Sequence, residues 1–314
     1  MRILLVGPRG FCAGVNMAIE SLRMAIERFG TPIYVYHEIV HNRWVVERFR
    51  REGVVFVDDS DKVPQGAHLL YSAHGVSPEI RRRAAERGLR TIDATCPLVT
   101  RLHTAAVRYA QTGYTIVLVG HRGHDEVVGV MGEAPEAITL VETIADVDRL
   151  DPPDPERIVY LTQTTLSVDE ARRIVGRLTE RFPKIVGPKT RDVCYATQNR
   201  QEAVKRLVTK ADCALVVGSQ NSSNSRRLAE LCVAGGVTAQ LVDGPDDIDT
   251  SRFGGDETVL VTAGASAPED IVQACVRLLV ERFDAQVEHH DIRDEEVRFL
   301  LPKELREEEF GIGD

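Results

Sequence analysis

The sequence predicts an α/β fold of three similar units with mainly parallel sheets, arranged with pseudo-threefold symmetry. Three observations carry the prediction. A short extended run, a cysteine and an apolar-periodic segment recur in that order in "RILLVGPRGFCAGVNMAIESL", "LRTIDATCPLVTRLHTAAV" and "KTRDVCYATQNRQEAVKRL". Each copy continues into a strand that ends in a polar loop. Strands then alternate with helical patterns to the end of the copy, the signature of parallel sheets with crossover helices.

Taken in order, the first helix of each copy begins beside its cysteine, and Pro97, directly after Cys96, suits a first helical position. The next strand and loop read "TPIYVYHEIVHN", "GYTIVLVGHRGHDE" and "DCALVVGSQNSSNS". His41 follows Cys12 by 29 residues, His124 follows Cys96 by 28, and Asn224 follows Cys194 by 30. A second helix leads to a second strand, "GVVFVDD", "AITLVET" or "TAQLVDG". A third strand and loop close the copy: "AHLLYSAHGVSPE", "RIVYLTQTTLSVDE" and "ETVLVTAGASAPED". Ser167 with Glu170 and Ser266 with Glu269 predict capping boxes, and Pro78 and Pro268 suit helix starts. The units are therefore 1–95, 96–193 and 194–283, followed by a tail, 284–314, outside the repeat. In that tail "EVRFLLP" predicts an added strand, and the acidic end reads as mobile. Sites in such sheets lie beyond the carboxyl ends of the strands, where the polar loops fall. Three cysteines and six loops thus converge on one axis.

Composition narrows the function classes. A net charge of −9 over 314 residues lacks the basic footprint of a nucleic-acid binder. The first apolar run is short and ends at Pro8-Arg9, unlike a signal peptide, and no window reaches the length of a membrane span. A cytoplasmic location, with no nucleic-acid or membrane partner, is the expectation. No G-x-x-x-x-G-K-[ST] loop and no G-x-G-x-x-G turn occurs, so a nucleotide is not indicated.

The six cysteines sort by context. Cys213, Cys232 and Cys275 lie within apolar patterns and read as small buried hydrophobes. Cys12, Cys96 and Cys194 each stand at the start of a helix, where free N–H groups and the helix dipole favour the thiolate. The absence of C-x-x-C pairs removes the common zinc modules, and a reducing compartment disfavours disulfides. Two metal readings stay open. One is zinc with a histidine as fourth ligand. The other, favoured by the threefold repeat, is an iron–sulfur cluster on three cysteines, with one iron left open as a Lewis acid. The loops supply His41, His74 and His124, together with Thr164, Thr165, Ser222, Ser223, Asn224 and Ser266. Such donors suit a phosphate or diphosphate, whose charge would raise the imidazole pKa values. Glu126 reads either as a helix-capping residue or as a proton donor. A hydro-lyase with an open iron, a non-catalytic sensor or scaffold, and a metal-free phosphate-binding module all remain compatible at this point.

The segments "GFCAGV", "HEIVHN", "SAHGVSP", "DATCPLVT", "GHRGHDEVVGVMGE", "TQTTLSVDE", "GSQNSSNS" and "GASAPE" together resemble the signature segments of the 4-hydroxy-3-methylbut-2-enyl diphosphate reductase family. The resemblance runs in order from about residue 1 to 280. It implies three α/β units around a central 4Fe–4S cluster held by Cys12, Cys96 and Cys194. It further implies an open iron that takes the substrate's allylic hydroxyl. The implied reaction is reductive removal of that hydroxyl from (E)-4-hydroxy-3-methylbut-2-enyl diphosphate, giving isopentenyl and dimethylallyl diphosphates. This is the last step of the methylerythritol phosphate route to isoprenoids. On the same resemblance, His41, His74, His124, Ser222, Ser223, Asn224 and Ser266 bind the diphosphate, and Thr165 lines the pocket. Glu126 delivers protons, with Thr164 assisting near the hydroxyl. The partners implied are the allylic diphosphate and an electron donor such as ferredoxin or flavodoxin.

Overall fold

In the computed structural model, residues 1–188 and 193–306 are described. The chain opens with β1 (Arg2–Gly7) and α1 (Ala13–Phe29), then β2 (Tyr34–Tyr36), α2 (Arg43–Arg51), β3 (Val55–Val57), β4 (His68–Tyr71), α3 (Pro78–Glu86) and β5 (Arg90–Asp93). It continues through α4 (Pro97–Gln111), β6 (Thr115–Val119), α5 (Asp125–Met131), β7 (Ile138–Val141), α6 (Ile144–Arg149), β8 (Ile158–Thr162) and α7 (Val168–Arg181). The last part comprises α8 (Tyr195–Leu207), β9 (Cys213–Val217), α9 (Ser223–Ala234), β10 (Thr238–Val242), β11 (Thr258–Ala263), α10 (Glu269–Phe283) and β12 (Gln286–Asp291).

These form three sheets, ordered β3-β2-β4-β5, β7-β6-β8 and β10-β9-β11-β1-β12, in which every strand pair is parallel. Helices cover both faces, so central strands such as Ile116–Val119 are buried throughout rather than alternating. Helical spacing does the rest. In α1, Ala18, Leu22 and Ala25 repeat at three to four residues and pack on Val35 and Leu70. Fully burying a side chain such as Leu22 contributes about 2 kcal/mol. Gly30 ends this helix at φ 74°, a conformation that a side chain would strain.

The sheets are offset from the sequence repeat by one strand. β1, grouped with the first unit by its place in the chain, pairs in the third sheet between β11 and β12. The physical reason lies in its apolar pattern. Ile3 and Leu5 enter one core layer and Leu4 and Val6 the other, so β1 needs cover on both faces, and a central position supplies it. β5, which leads to Cys96, likewise closes the first sheet, and Val186 bridges to β8 ahead of the third cysteine. Each cysteine therefore sits on a seam. The N–H of Cys96 donates to Ala73 O at 3.0 Å, that of Cys194 to Thr164 O at 3.0 Å, and that of Cys12 to Ala265 O at 3.2 Å. The three acceptors occupy the equivalent loops after β4, β8 and β11, which gives the threefold relation an atomic form.

Three expectations are corrected. The strand added by the tail is β12, not "EVRFLLP": β12 holds the sheet edge, and Glu295 and Leu305 draw residues 295–302 away to other partners. Ser167 does cap α7 through the Glu170 N–H, but Ser266 caps nothing. Pro268 occupies that position, and the Ser266 hydroxyl donates to His41 O at 2.8 Å instead. Cys232 and Cys275 are fully buried, whereas Cys213, first in β9, is only partly so. The acidic end of the tail, 307–314, lies outside the described residues.

Candidate active site

Cys12, Cys96 and Cys194 each occupy the position before a helix, α1, α4 and α8 respectively, with extended backbone angles. Cys194 Sγ also accepts the Thr197 N–H at 3.3 Å. All three thiols open into one cavity of about 100 Å³. The wall of that cavity includes every residue singled out from the sequence: His41, His74, His124, Glu126, Thr164, Thr165, Ser222, Ser223, Asn224 and Ser266.

The polar part of the wall comes from loops at the carboxyl ends of six strands. His41 and His74 stack with ring centroids 3.9 Å apart, and His124 stands edge-on to them at 5.4 and 6.0 Å. His124 caps α5 by accepting the Glu126 N–H on Nδ1 at 3.2 Å. Ser222 caps α9 through the Ser225 N–H, and Asn224 Oδ1 accepts the Ala265 N–H at 2.9 Å. Glu126 is buried and takes two hydrogen bonds from one residue. The Thr164 N–H donates to Oε1 at 2.7 Å and the Thr164 hydroxyl to Oε2 at 2.6 Å. Of the two readings of Glu126, an exposed cap is therefore excluded.

Electrostatics favour neutral groups in this cavity before any anion arrives. Burial, reinforced by His41, pushes His124 down to about 4 and His74 well below its ordinary value. The thiols depart from the sequence expectation. Burial, followed by the charge of Cys12, pushes Cys96 up to about 12 and Cys194 to about 11. Desolvation outweighs the helix N-terminus, so these sulfurs become thiolates when a cation takes the proton's place. Their spacing also bears on which cation. Among the described residues, the only group of three whose ligand atoms all lie within 4.8 Å of one another is His41, His74 and Asp125. The three sulfurs are spread more widely. A single tetrahedral zinc, with Zn–S near ~2.3 Å, would draw its sulfurs within about 4 Å of one another.

Sequence reasoning missed three participants. Asp125 lies beside the histidines, 2.7 Å from His37 Nδ1, 3.8 Å from His41 Nε2 and 4.0 Å from His74 Nδ1. Burial opposes its charge, but the His37 hydrogen bond and the neighbouring imidazoles hold it down at about 2. Its signal was its place between His124 and Glu126. His37, the second participant, stands four residues before His41 in the same loop. The third is Phe299, which joins the cavity wall from the tail.

Comparison with known proteins agrees with this geometry. The sequence profile described as LytB protein matches residues 3–280. A Rhodopirellula baltica protein named 4-hydroxy-3-methylbut-2-enyl diphosphate reductase is 60% identical over 306 residues, covering 98% of this chain and 96% of its own. An Azoarcus protein of the same name is 53% identical over 305 residues, covering 97% and 98%. The solved E-1-hydroxy-2-methyl-but-2-enyl-4-diphosphate reductase from Plasmodium falciparum superposes with a TM-score of 0.94 at 39% identity, covering 97% of this chain and 96% of that one. With its signature loops and three seam cysteines inside the matched span, the chain belongs to the LytB protein family.

Proposed function

We propose that this chain is an iron–sulfur reductase that converts (E)-4-hydroxy-3-methylbut-2-enyl diphosphate to isopentenyl and dimethylallyl diphosphates, the last step of the methylerythritol phosphate route. The observation that carries the reading is the division of one cavity between three thiols at helix starts and a wall of imidazole, hydroxyl and amide groups. One side suits a cluster and the other suits a diphosphate.

The residues present fit a 4Fe–4S cluster on two counts. Three thiols brought from three seams face one cavity, and thiolate is the donor such clusters take. Space beside them is also kept clear, since a Cβ on Gly14 would stand 2.6 Å from Cys96 Sγ and 4.0 Å from Cys12 Sγ. Cys12, Cys96 and Cys194 would hold the cluster, which when bound supplies electrons one at a time and Lewis acidity toward the hydroxyl.

The chain's own groups do the remainder. His41, His74, His124, Ser222, Ser223, Asn224 and Ser266 bind the diphosphate, and Thr165 closes the same wall. As the imidazoles take up protons they neutralise the anion. Overall, the allylic carbon–oxygen bond breaks, a carbon–hydrogen bond forms, two electrons and two protons are consumed, and water leaves. Glu126 supplies the proton for the departing oxygen from Oε2. The Thr164 hydroxyl, 2.6 Å away, donates to the carboxylate and orients it; once Glu126 is protonated the bond reverses, Oε2–H donating to Thr164 Oγ1 as that hydroxyl passes its own proton on. Burial of both residues keeps bulk water away from the reacting carbon. A small external donor such as ferredoxin or flavodoxin supplies the electrons, and the protein works in the cytoplasm. Among the described residues no helix is long and apolar enough to cross a membrane.

The test is an iron and acid-labile sulfide count on protein purified without oxygen, followed by turnover with the allylic diphosphate. About four of each per chain, together with conversion to the two reduced diphosphates, supports the reading. Zinc, or a dehydrated rather than reduced product, overturns it.

A further inference from the structure

The tail does not end with its strand. After β12, residues 292–306 leave the third sheet and cross to the first. The Ile292 N–H donates to Gly7 O at 3.1 Å, and the side chain rests on the third sheet's core. Leu305, 1% exposed, is buried among α1 and the first sheet. Between these ends Glu295 receives Arg200 Nη1 at 3.1 Å and the Asn199 amide at 3.0 Å.

Among the described residues Arg200 is the largest fully buried side chain, with 0% exposure. It lies on α8, the helix that Cys194 begins, and its Nη2 donates to Gly10 O at 2.7 Å, two residues before Cys12. A buried guanidinium without a carboxylate is strongly unfavourable, so this pairing fixes the crossing segment relative to two of the three cysteines. Four residues beyond Glu295, Phe299 joins the cavity wall. The polar wall residues are matched to an anion. The apolar surface left for a hydrocarbon includes Val15, Val40, Leu98, Val99 and Phe299, and Phe299 is the one aromatic side chain among these.

We propose that residues 292–306 are a strap whose Phe299 ring packs on the hydrocarbon portion of the substrate and shields the three-thiol side of the cavity from solvent. Glu295 is the positioning residue that holds the strap through Arg200. The substrate-contact part rests on the function proposed above; the shielding part does not.

The experiment uses anaerobically prepared holoenzyme of wild type, Phe299→Ala, Phe299→Leu and Glu295→Gln. Release of iron to an external chelator is followed by loss of visible absorbance. Binding of the allylic diphosphate and of inorganic diphosphate is measured alongside. Phe299→Ala is expected to speed iron release and weaken the allylic ligand on the order of tenfold each, with inorganic diphosphate unchanged. Phe299→Leu should fall between Phe299→Ala and wild type at an unchanged melting temperature, which separates shielding from a folding defect. Glu295→Gln should reproduce the faster release although its side chain is absent from the cavity wall. Wild-type release rates in both Phe299 variants overturn the strap. Equal weakening of the allylic and inorganic ligands by Phe299→Ala overturns the hydrocarbon contact. Failure of wild type to bind either diphosphate faults the functional reading and leaves the release comparison standing as the test of the strap.

Discussion

Filling the polar wall should draw protons into the protein. With His124 held at about 4 by burial, only about one imidazole in a thousand is charged at pH 7. Raising that pKa to 7 requires about 4 kcal/mol of attraction. A unit negative charge 4 Å away supplies about 4 kcal/mol at an effective dielectric near 20, and a diphosphate carries several such charges. Binding at pH 7 should therefore take up about one proton at His124 and a further fraction at His74. The sign follows: the bound state holds more protons, so affinity falls as pH rises through the bound-state pKa. The assay is titration calorimetry of the oxidised holoenzyme with inorganic diphosphate at pH 7, in two buffers of different ionisation heat. Comparison with His124→Asn cancels the ligand's own protons, and the variant should take up about one proton fewer. An identical proton count in both proteins would refute the reasoning.

Other predictions concern the thiols and the acid. Cys12→Ser, Cys96→Ser and Cys194→Ser should each lose iron and activity, whereas Cys213→Ser, at a partly buried strand end, should keep both; metal analysis distinguishes them. Glu126→Gln should still bind substrate but turn over on the order of 10²-fold more slowly or worse, read as kcat against KM. Gly14→Ala places a methyl 2.6 Å from Cys96 Sγ, so the purified protein should retain clearly less iron than wild type while melting at a similar temperature once stripped of metal.

Much of the site was legible because its parts are local. A cysteine before a helix, or a polar loop after a strand, is written within a dozen residues, and the repeat told which ones to align. Pairing partners were not legible. Nothing near Arg2–Gly7 says that its neighbour is Thr258–Ala263, and the sequence grouping put β1 in the wrong sheet for that reason. Asp125 and Phe299 were hidden in a similar way, since their meaning depends on residues such as His37 and Glu295–Arg200 that the fold brings near. The thiol pKa values depend on burial depth, which a helix-start pattern does not carry.

The placement of β1 has a consequence for how the chain is made. Arg2 stands opposite both Thr258 and Gln286, so β1 waits for two strands made far later in synthesis before it finds its neighbours. During that interval Ile3–Val6 is an unpaired apolar segment, the kind that chaperones bind and that nascent chains aggregate through. The first two sheets, built from neighbouring strands, have no such wait. Cys12, tied to β1, and Cys194, whose helix α8 packs on the same sheet, therefore reach their places after Cys96, and loading of metal onto the three thiols becomes a step that follows synthesis of β11 and β12.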